Sequence, residues 1–257
     1  WKTLSQKYLI EKPWLTARFD KVQFAAGVII DEYYVLEYPD WVNTIAITKD
    51  GKFVFVRQYR YAIGKTVNEL CAGVVEYMAD KDMKWKTLSQ KYLIEKPWLT
   101  ARFDKVQFAA GVIIDEYYVL EYPDWVNTIA ITKDGKFVFV RQYRYAIGKT
   151  VNELCAGVVE KGEDPMDAAK RELMEETGFG GGNWQKWMTI SANPSTHTNL
   201  THCYLATDVE PLGEQHLDQG EDLEPRMFSR EEVLDMLQKG EIWQALMAAP
   251  LWKYFAN

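Results

Sequence analysis

Residues 157–179, GVVEKGEDPMDAAKRELMEETGF, decide how the rest of the chain is read. The second half of this stretch has the marks of a helix. Asp164 suits the N-cap, and Pro165 suits the first helical position, where a missing N–H costs nothing. Asp167, three residues past the cap, can return the bond as in a capping box and also suits the positive end of the dipole. Gly178 can take the left-handed conformation that ends the helix. Met166, Ala169 and Leu173 recur at i, i+3, i+7 as an apolar stripe. Glu172, Glu175 and Glu176 fall beside it at i, i+3, i+4. Carboxylates so placed repel one another, by a few tenths of a kcal/mol per i,i+4 pair on a bare surface. A bound divalent cation removes that repulsion, and hard oxygen donors suit Mg²⁺ or Mn²⁺. The competing expectation is a solvated acidic face, with Arg171 paired to Asp167 and Glu175.

The surrounding residues bear on this choice through a resemblance. Gly157 is followed after five residues by Glu163, after seven more by Arg171-Glu172-Leu173, then by Glu175-Glu176 and Gly178-Phe179. This pattern resembles the Nudix box at every defined position. In that family the segment is a loop–helix–loop that holds divalent metal against a diphosphate. The resemblance implies that Glu172 and Glu176 are the primary metal ligands, that Glu175 shares the cluster, and that Arg171 and Glu163 brace the loop against the helix.

Composition is that of a globular chain, 47% hydrophobic and 26% charged over 257 residues. No uninterrupted apolar run approaches the roughly 18 residues of a spanning helix, so no membrane partner is expected. Residues 1–14, WKTLSQKYLIEKPW, have no signal-peptide apolar core, and three cysteines, two of them copies of one position, make no disulfide framework. A reducing cytoplasm is the expected setting. The net charge of −7 is uneven. Residues 1–76 carry ten Lys and Arg against nine Asp and Glu, as do 85–160, which leaves −9 on 161–257. That balance argues against nucleic acid as a partner, because phosphate affinity comes from a Lys/Arg excess. An acidic half suits a phosphorylated ligand only if metal ions supply the positive charge.

Residues 1–76 recur without a change as 85–160. Complete identity at this offset is unlike a solenoid, whose repeats are short and imperfect. The expected organisation is a truncated copy over 1–77, followed by a complete domain over 78–257, with MADKDMK at 78–84 as its start. The first copy keeps Gly73 of the box but breaks off after Glu76 and has no glutamate helix. Alone it would be an exposed sheet prone to aggregate. It pairs with another chain or stands in for a partner's N-terminal portion.

Within the second copy, Trp98–Phe103, Lys105–Ile114 and Glu116–Tyr122 read as strands. Trp125–Thr132 and Lys136–Tyr143 read as strands joined by a turn at Asp134-Gly135, and Val151–Leu154 as another. After the box, Trp184–Ile190 and Thr201–Thr207 are expected strands, with 211–223 a polar, mobile loop. A short strand is expected from Met227-Phe228. Helices are expected over Glu231–Lys239 and over Ile242–Phe255, the latter interrupted at Pro250. Strands on either side of one central helix argue a mixed sheet covered by helices. The resemblance names this arrangement an α/β/α sandwich, here preceded by a duplicated half-domain.

The segments Phe139-Val140-Arg141-Gln142-Tyr143-Arg144 and Glu153-Leu154-Cys155-Ala156-Gly157 are similar to the ADP-ribose pyrophosphatase branch of the family. That similarity implies that Arg144 and Glu153 line the substrate site and that the Ala156 carbonyl is a metal ligand. Pro194 stands where the branch carries proline, 15 residues past Phe179. The flanking residues 193–199 depart from the Pro-Gly loop of typical ADP-ribose enzymes. His197 and His202 are further candidates there for phosphate or ribose contact. A general base is needed beside the metals. The branch places it as a glutamate on a loop after the box. Glu221 matches best, with Glu214 and Glu224 as rivals and Gly213 and Gly220 as hinges. Trp125, Tyr143 and Tyr145 are candidates for stacking on adenine.

The resemblance thus implies a Mg²⁺-dependent hydrolase of a nucleoside diphosphate sugar, ADP-ribose first, with GDP-mannose or a non-catalytic ligand-binding module as alternatives. It also implies a homodimer with exchanged N-terminal strands.

Overall fold

The computed structural model describes residues 1–12, 15–24, 27–38, 41–70, 83–96, 99–217 and 221–257. These fall into two compact units, which do not follow the sequence repeat. One contains Trp1–Tyr122 with Asn193–Thr198, and the other Pro123–Ala192 with Asn199–Asn257.

The first unit is built of three antiparallel sheets. β1 (Lys2–Lys12), β2 (Leu15–Gln23) and β3 (Ile29–Glu37) form one, and β4 (Ala46–Ile47), β5 (Phe53–Arg60) and β6 (Lys65–Leu70) form the second. The second copy supplies the third, from β7 (Lys86–Lys96), β8 (Leu99–Gln107) and β9 (Ile113–Glu121). The first and third sheets have matching registers, with Lys2 opposite Gln23 and Lys86 opposite Gln107. Alternation along β2 and β8 turns Leu15 and Ala17, and Leu99 and Ala101, to one face. Those faces pack together in a single cluster with Ile10 and Leu120. Residues 193–198 join this unit along β9, where Leu120 N–H donates to the Thr196 carbonyl at 2.8 Å.

The second unit is an eight-stranded mixed sheet between helices. Its strands are β10 (Trp125–Thr132), β11 (Phe137–Arg144), β12 (Lys149–Glu153), β13 (Cys155–Val158), β14 (Phe179–Gly180), β15 (Asn183–Ile190), β16 (Thr201–Pro211) and β17 (Leu223–Phe228). β10 and β16 run parallel, and the remaining pairs are antiparallel. Alternation sends Ile129, Ile131, Phe137, Phe139 and Leu205 to one face, where they meet α2 (Arg230–Gln238) and α3 (Ala245–Ala256). Ala130, Val138 and Ala206 point the other way, onto Leu173 of α1 (Pro165–Thr177). Each buried Phe or Leu side chain contributes about 2 kcal/mol relative to exposure. The α/β/α sandwich expected from the sequence is therefore present.

Several boundaries differ from expectation. Residues 105–114 are not one strand: β8 ends at Gln107, and a turn closed by Gly111 at φ +88° precedes β9. β17 begins at Leu223, not Met227, and tolerates Pro225. The loop before it is tied down in its described part. His216 N–H and the Gln215 side-chain amide donate to the carbonyls of Glu175 and Glu176, which α1 leaves open at its C-terminal end. Gly220 lies outside the described residues, as do Trp98 and 78–82. Pro250 does not interrupt α3. A proline at that position strips the Leu246 carbonyl of its helical donor. The Asn127 amide of β10 replaces it, donating at 2.8 Å.

Candidate active site

α1 starts and stops as its sequence dictates. Asp164 accepts from Met166 N–H at 2.8 Å, and Gly178 ends the helix at φ +73°. Asp167 closes no capping box; it pairs with Lys170 instead. A side chain at Gly178 would press a Cβ to 2.4 Å from the Gly213 carbonyl oxygen, so both the turn and the close approach require glycine.

Arg171 ties the loop to the helix. Its guanidinium donates to Glu163 at 3.0 Å, to the Val158 carbonyl at 3.0 Å, to Glu172 at 2.8 Å and to Glu175 at 2.9 Å. The pairing with Asp167 expected of a solvated helix face is not made. These bonds hold Glu163 below the usual carboxylate range, and the carboxylates in turn raise the Arg171 pKa.

The glutamates differ in environment. Glu176 is buried, and burial pushes its pKa up to about 8, aided by the charges of Glu172 and Glu221 and opposed by hydrogen bonds to Cys155 and Ala156. Its Oε2 accepts from the Ala156 N–H at 3.0 Å. Glu172 is also raised, first by burial, with Glu175 and Glu221 adding to the effect and Arg171 opposing it. A Cβ on Gly157 would stand 2.0 Å from the Glu172 carboxyl carbon. The glycine of the motif is therefore a cradle for that carboxylate. Glu175 and Glu221 lie toward solvent. Among the described residues, no three His, Cys, Asp or Glu side chains converge tightly enough to hold an ion as they stand. The donor chemistry nevertheless fits a hard divalent cation. Two desolvated carboxylates with raised pKa, one cradled against a glycine, gain from positive charge.

A cleft of about 270 Å³ opens beside this loop. Trp125, Arg144, Ala156 and Gly157 line it, together with Asn127, Thr201 and Gln244. Glu153 does not: it is buried beneath, gripped by Arg144 at 3.1 Å and by Gln142 at 3.2 Å. Tyr143 and Tyr145 are not among the lining residues. Side-chain oxygens of Asn127, Thr201 and Gln244 are buried without a hydrogen-bond partner among the described residues. Sequence reading missed these three. Asn127 carried the one usable signal, a polar residue on the strand face otherwise given to Ile129 and Ile131.

The remaining candidates lie elsewhere. Glu214 is exposed, and Glu224 pairs with Arg226 on β17. Pro194 belongs to the 193–198 segment of the first unit. His197 sits there against Tyr122, with both ring nitrogens shut from solvent, and burial lowers its pKa to about 4. His202 Nε2 is 2.8 Å from Asp124, whose other oxygen accepts from Leu200 N–H, so this histidine closes a loop.

Comparisons with known proteins agree with this geometry. Residues 122–249 match the NUDIX domain, and residues 1–36 and 85–120 each match the nucleoside diphosphate sugar hydrolase N-terminal domain. An ADP-ribose pyrophosphatase of Bacillus subtilis (strain 168) is 28% identical over 169 residues, covering 65% of this chain and 91% of that protein. A GDP-mannose pyrophosphatase of Enterobacter sp. (strain 638) is 29% identical over 169 residues, covering 62% and 86%. The crystal structure of an ADP compounds hydrolase superposes with a TM-score of 0.61 at 22% identity, over 69% of this chain and 96% of the other. This last likeness concerns the fold alone.

Proposed function

The chain belongs to the Nudix family, and we propose that it hydrolyses the pyrophosphate bond of a nucleoside diphosphate sugar, ADP-ribose first among them, to AMP and ribose 5-phosphate. The observation that carries this is Glu176. It is a buried carboxylate with its pKa raised to about 8, beside Glu172 and next to the cleft. Burying acid at such a cost fits a role in gathering cations.

Glu172, Glu176 and Glu175, with the Ala156 carbonyl, would hold Mg²⁺ or Mn²⁺. The bound ions would neutralise the diphosphate and lower the pKa of an attacking water. Arg171 orients Glu172 and Glu175 and ties Glu163 to the helix. Glu221, whose charge is felt by both Glu172 and Glu176, would accept the proton of the attacking water. Arg144 is held by Glu153 at the cleft, where it offers positive charge to phosphate, and Trp125 offers a ring to the base or sugar. The free oxygens of Asn127, Thr201 and Gln244 suit hydroxyl or amino groups of the same ligand. Residues 78–257 would contain the whole catalytic domain, with 1–77 a truncated copy. The free, buried Cys155 and Cys203 suit a reducing compartment such as the cytoplasm.

GDP-mannose is the rival substrate, since relatives named for it align over comparable lengths. A panel of sugar nucleotides with Mg²⁺ or Mn²⁺, read by phosphatase-coupled phosphate release, decides between them. ADP-ribose should give the highest kcat/KM. Preference for GDP-mannose would change the substrate but keep the chemistry. Binding without cleavage of any member would leave only a ligand-binding module.

A further inference from the structure

The contacts between the two copies inside the first unit obey a two-fold rule. Lys12 of the first copy pairs with Glu116 of the second at 3.7 Å, and Lys96 of the second pairs with Glu32 of the first at 3.4 Å. Lys96 is the repeat of Lys12, and Glu116 the repeat of Glu32. The apolar cluster between the sheets has the same reciprocity: Leu15 and Ala17 lie in it with their repeats Leu99 and Ala101, and so do the pairs Ile10 with Ile94 and Leu36 with Leu120. A contact in which residue i meets j while j meets i is the isologous contact of a two-fold dimer. Here one chain supplies both sides. Leu15, Ala17, Leu99 and Ala101 are at most 3% exposed in a single chain.

The first copy also reaches past this cluster. Tyr61, just beyond β5, donates to Asp104 at 2.7 Å and lies 2.6 Å from the Thr87 hydroxyl. Its ring stacks on Trp85 at 5.9 Å. Asp104 is wholly buried and is held by Arg102, Gln90 and Tyr61 together. The strand pair β5–β6 of the truncated copy is thus docked on the sheet of the complete one.

We propose that residues 1–70 act as a built-in second subunit: they occupy the self-complementary face of the β7–β9 sheet that another copy of the chain would otherwise take. The chain closes its own two-fold interface and does not dimerise through it. This inference is independent of the catalytic assignment.

Sedimentation of the full chain across the micromolar range tests it, expecting the mass of one chain, 29.9 kDa, throughout. A two-chain mass would overturn it. Zero-length carbodiimide cross-linking of Lys12 to Glu116 and of Lys96 to Glu32 should leave all product in the one-chain band. Linkage in a two-chain band would show that the copies are exchanged between molecules and would overturn it as well. Leu15→Arg spoils the first copy's face and leaves the second intact, so this variant should begin to self-associate. The pair Leu15→Arg with Leu99→Arg should return to one chain. A Leu15→Arg chain that keeps both the single-chain mass and the wild-type unfolding temperature would contradict the proposal.

Discussion

The same octapeptide, WVNTIAIT, occurs at 41–48 and at 125–132, and its two copies meet opposite fates. At 125–132 all eight residues are β10, with Val126 1% and Ile129 0% exposed. At 41–48 the strand shrinks to the two residues of β4, Ala46–Ile47, and Val42 is 81% and Ile45 66% exposed. The next strand repeats the contrast: Phe137 and Phe139 are buried, while Phe53 and Phe55 are more than half exposed. Local sequence is held constant here, so the difference is tertiary. β16 and the helices that cover β10 and β11 come from residues 161–257, which the first copy lacks. By contrast, β1–β3 and β7–β9 keep one register in both copies, because each sheet is closed by its own hairpins.

The most severe break in the symmetry is chemical, since only the second copy has glutamates on α1. Glu176→Gln should lower kcat on the preferred sugar nucleotide by two orders of magnitude or more, about 3 kcal/mol in barrier, with the fold retained by circular dichroism. Unchanged turnover would remove Glu176 from the metal set. Next comes packing. Phe139→Ala should cost about 3–5 kcal/mol in denaturant unfolding, whereas the identical change at Phe55 should fall within about 0.5 kcal/mol. Equal costs would mean that the first copy is packed as tightly as the second.

A pH effect should also be confined to the second unit. The folded-state pKa of Glu176, about 8, stands above the ordinary carboxylate value of 4.5. The folded state therefore binds the extra proton between those values, and stability is lost as pH rises through the window. With metal chelated, the unfolding temperature should drop by roughly 5 °C from pH 5 to pH 8.5. Glu176→Gln should flatten that slope, and a slope that persists in the variant would assign it to other groups. The smallest contrast is between paired arginines. Arg144→Ala should reduce kcat/KM about tenfold, roughly 1.4 kcal/mol. Arg60→Ala, at the repeated position in the first unit, should leave turnover unchanged. Loss of activity in both would place the first copy in the catalytic machinery.

These contrasts mark what the sequence could disclose. The α1 helix was legible because its cap, its stop and its carboxylate spacing are all local. The β10–β11 hairpin was legible for the same reason, with Asp134-Gly135 as its turn. The β8–β9 turn was not, because residues 108–112 are mostly apolar and only Gly111 marks it. The continuity of α3 through Pro250 was hidden as well, since the donor that rescues the Leu246 carbonyl is Asn127, more than a hundred residues away. Glu153 followed the same pattern. The resemblance implied that it lines the substrate site, and the fold buries it in a pair with Arg144.

The central claim is that the buried glutamates of α1 gather divalent cations. Titration of the full chain with Mn²⁺, followed by electron paramagnetic resonance, tests it most directly. Wild-type protein should remove Mn²⁺ from the free pool at low stoichiometry, and Glu176→Gln should weaken that binding at least tenfold while its unfolding temperature holds or rises. Equal Mn²⁺ binding by both proteins, or none by the wild type, would contradict the account.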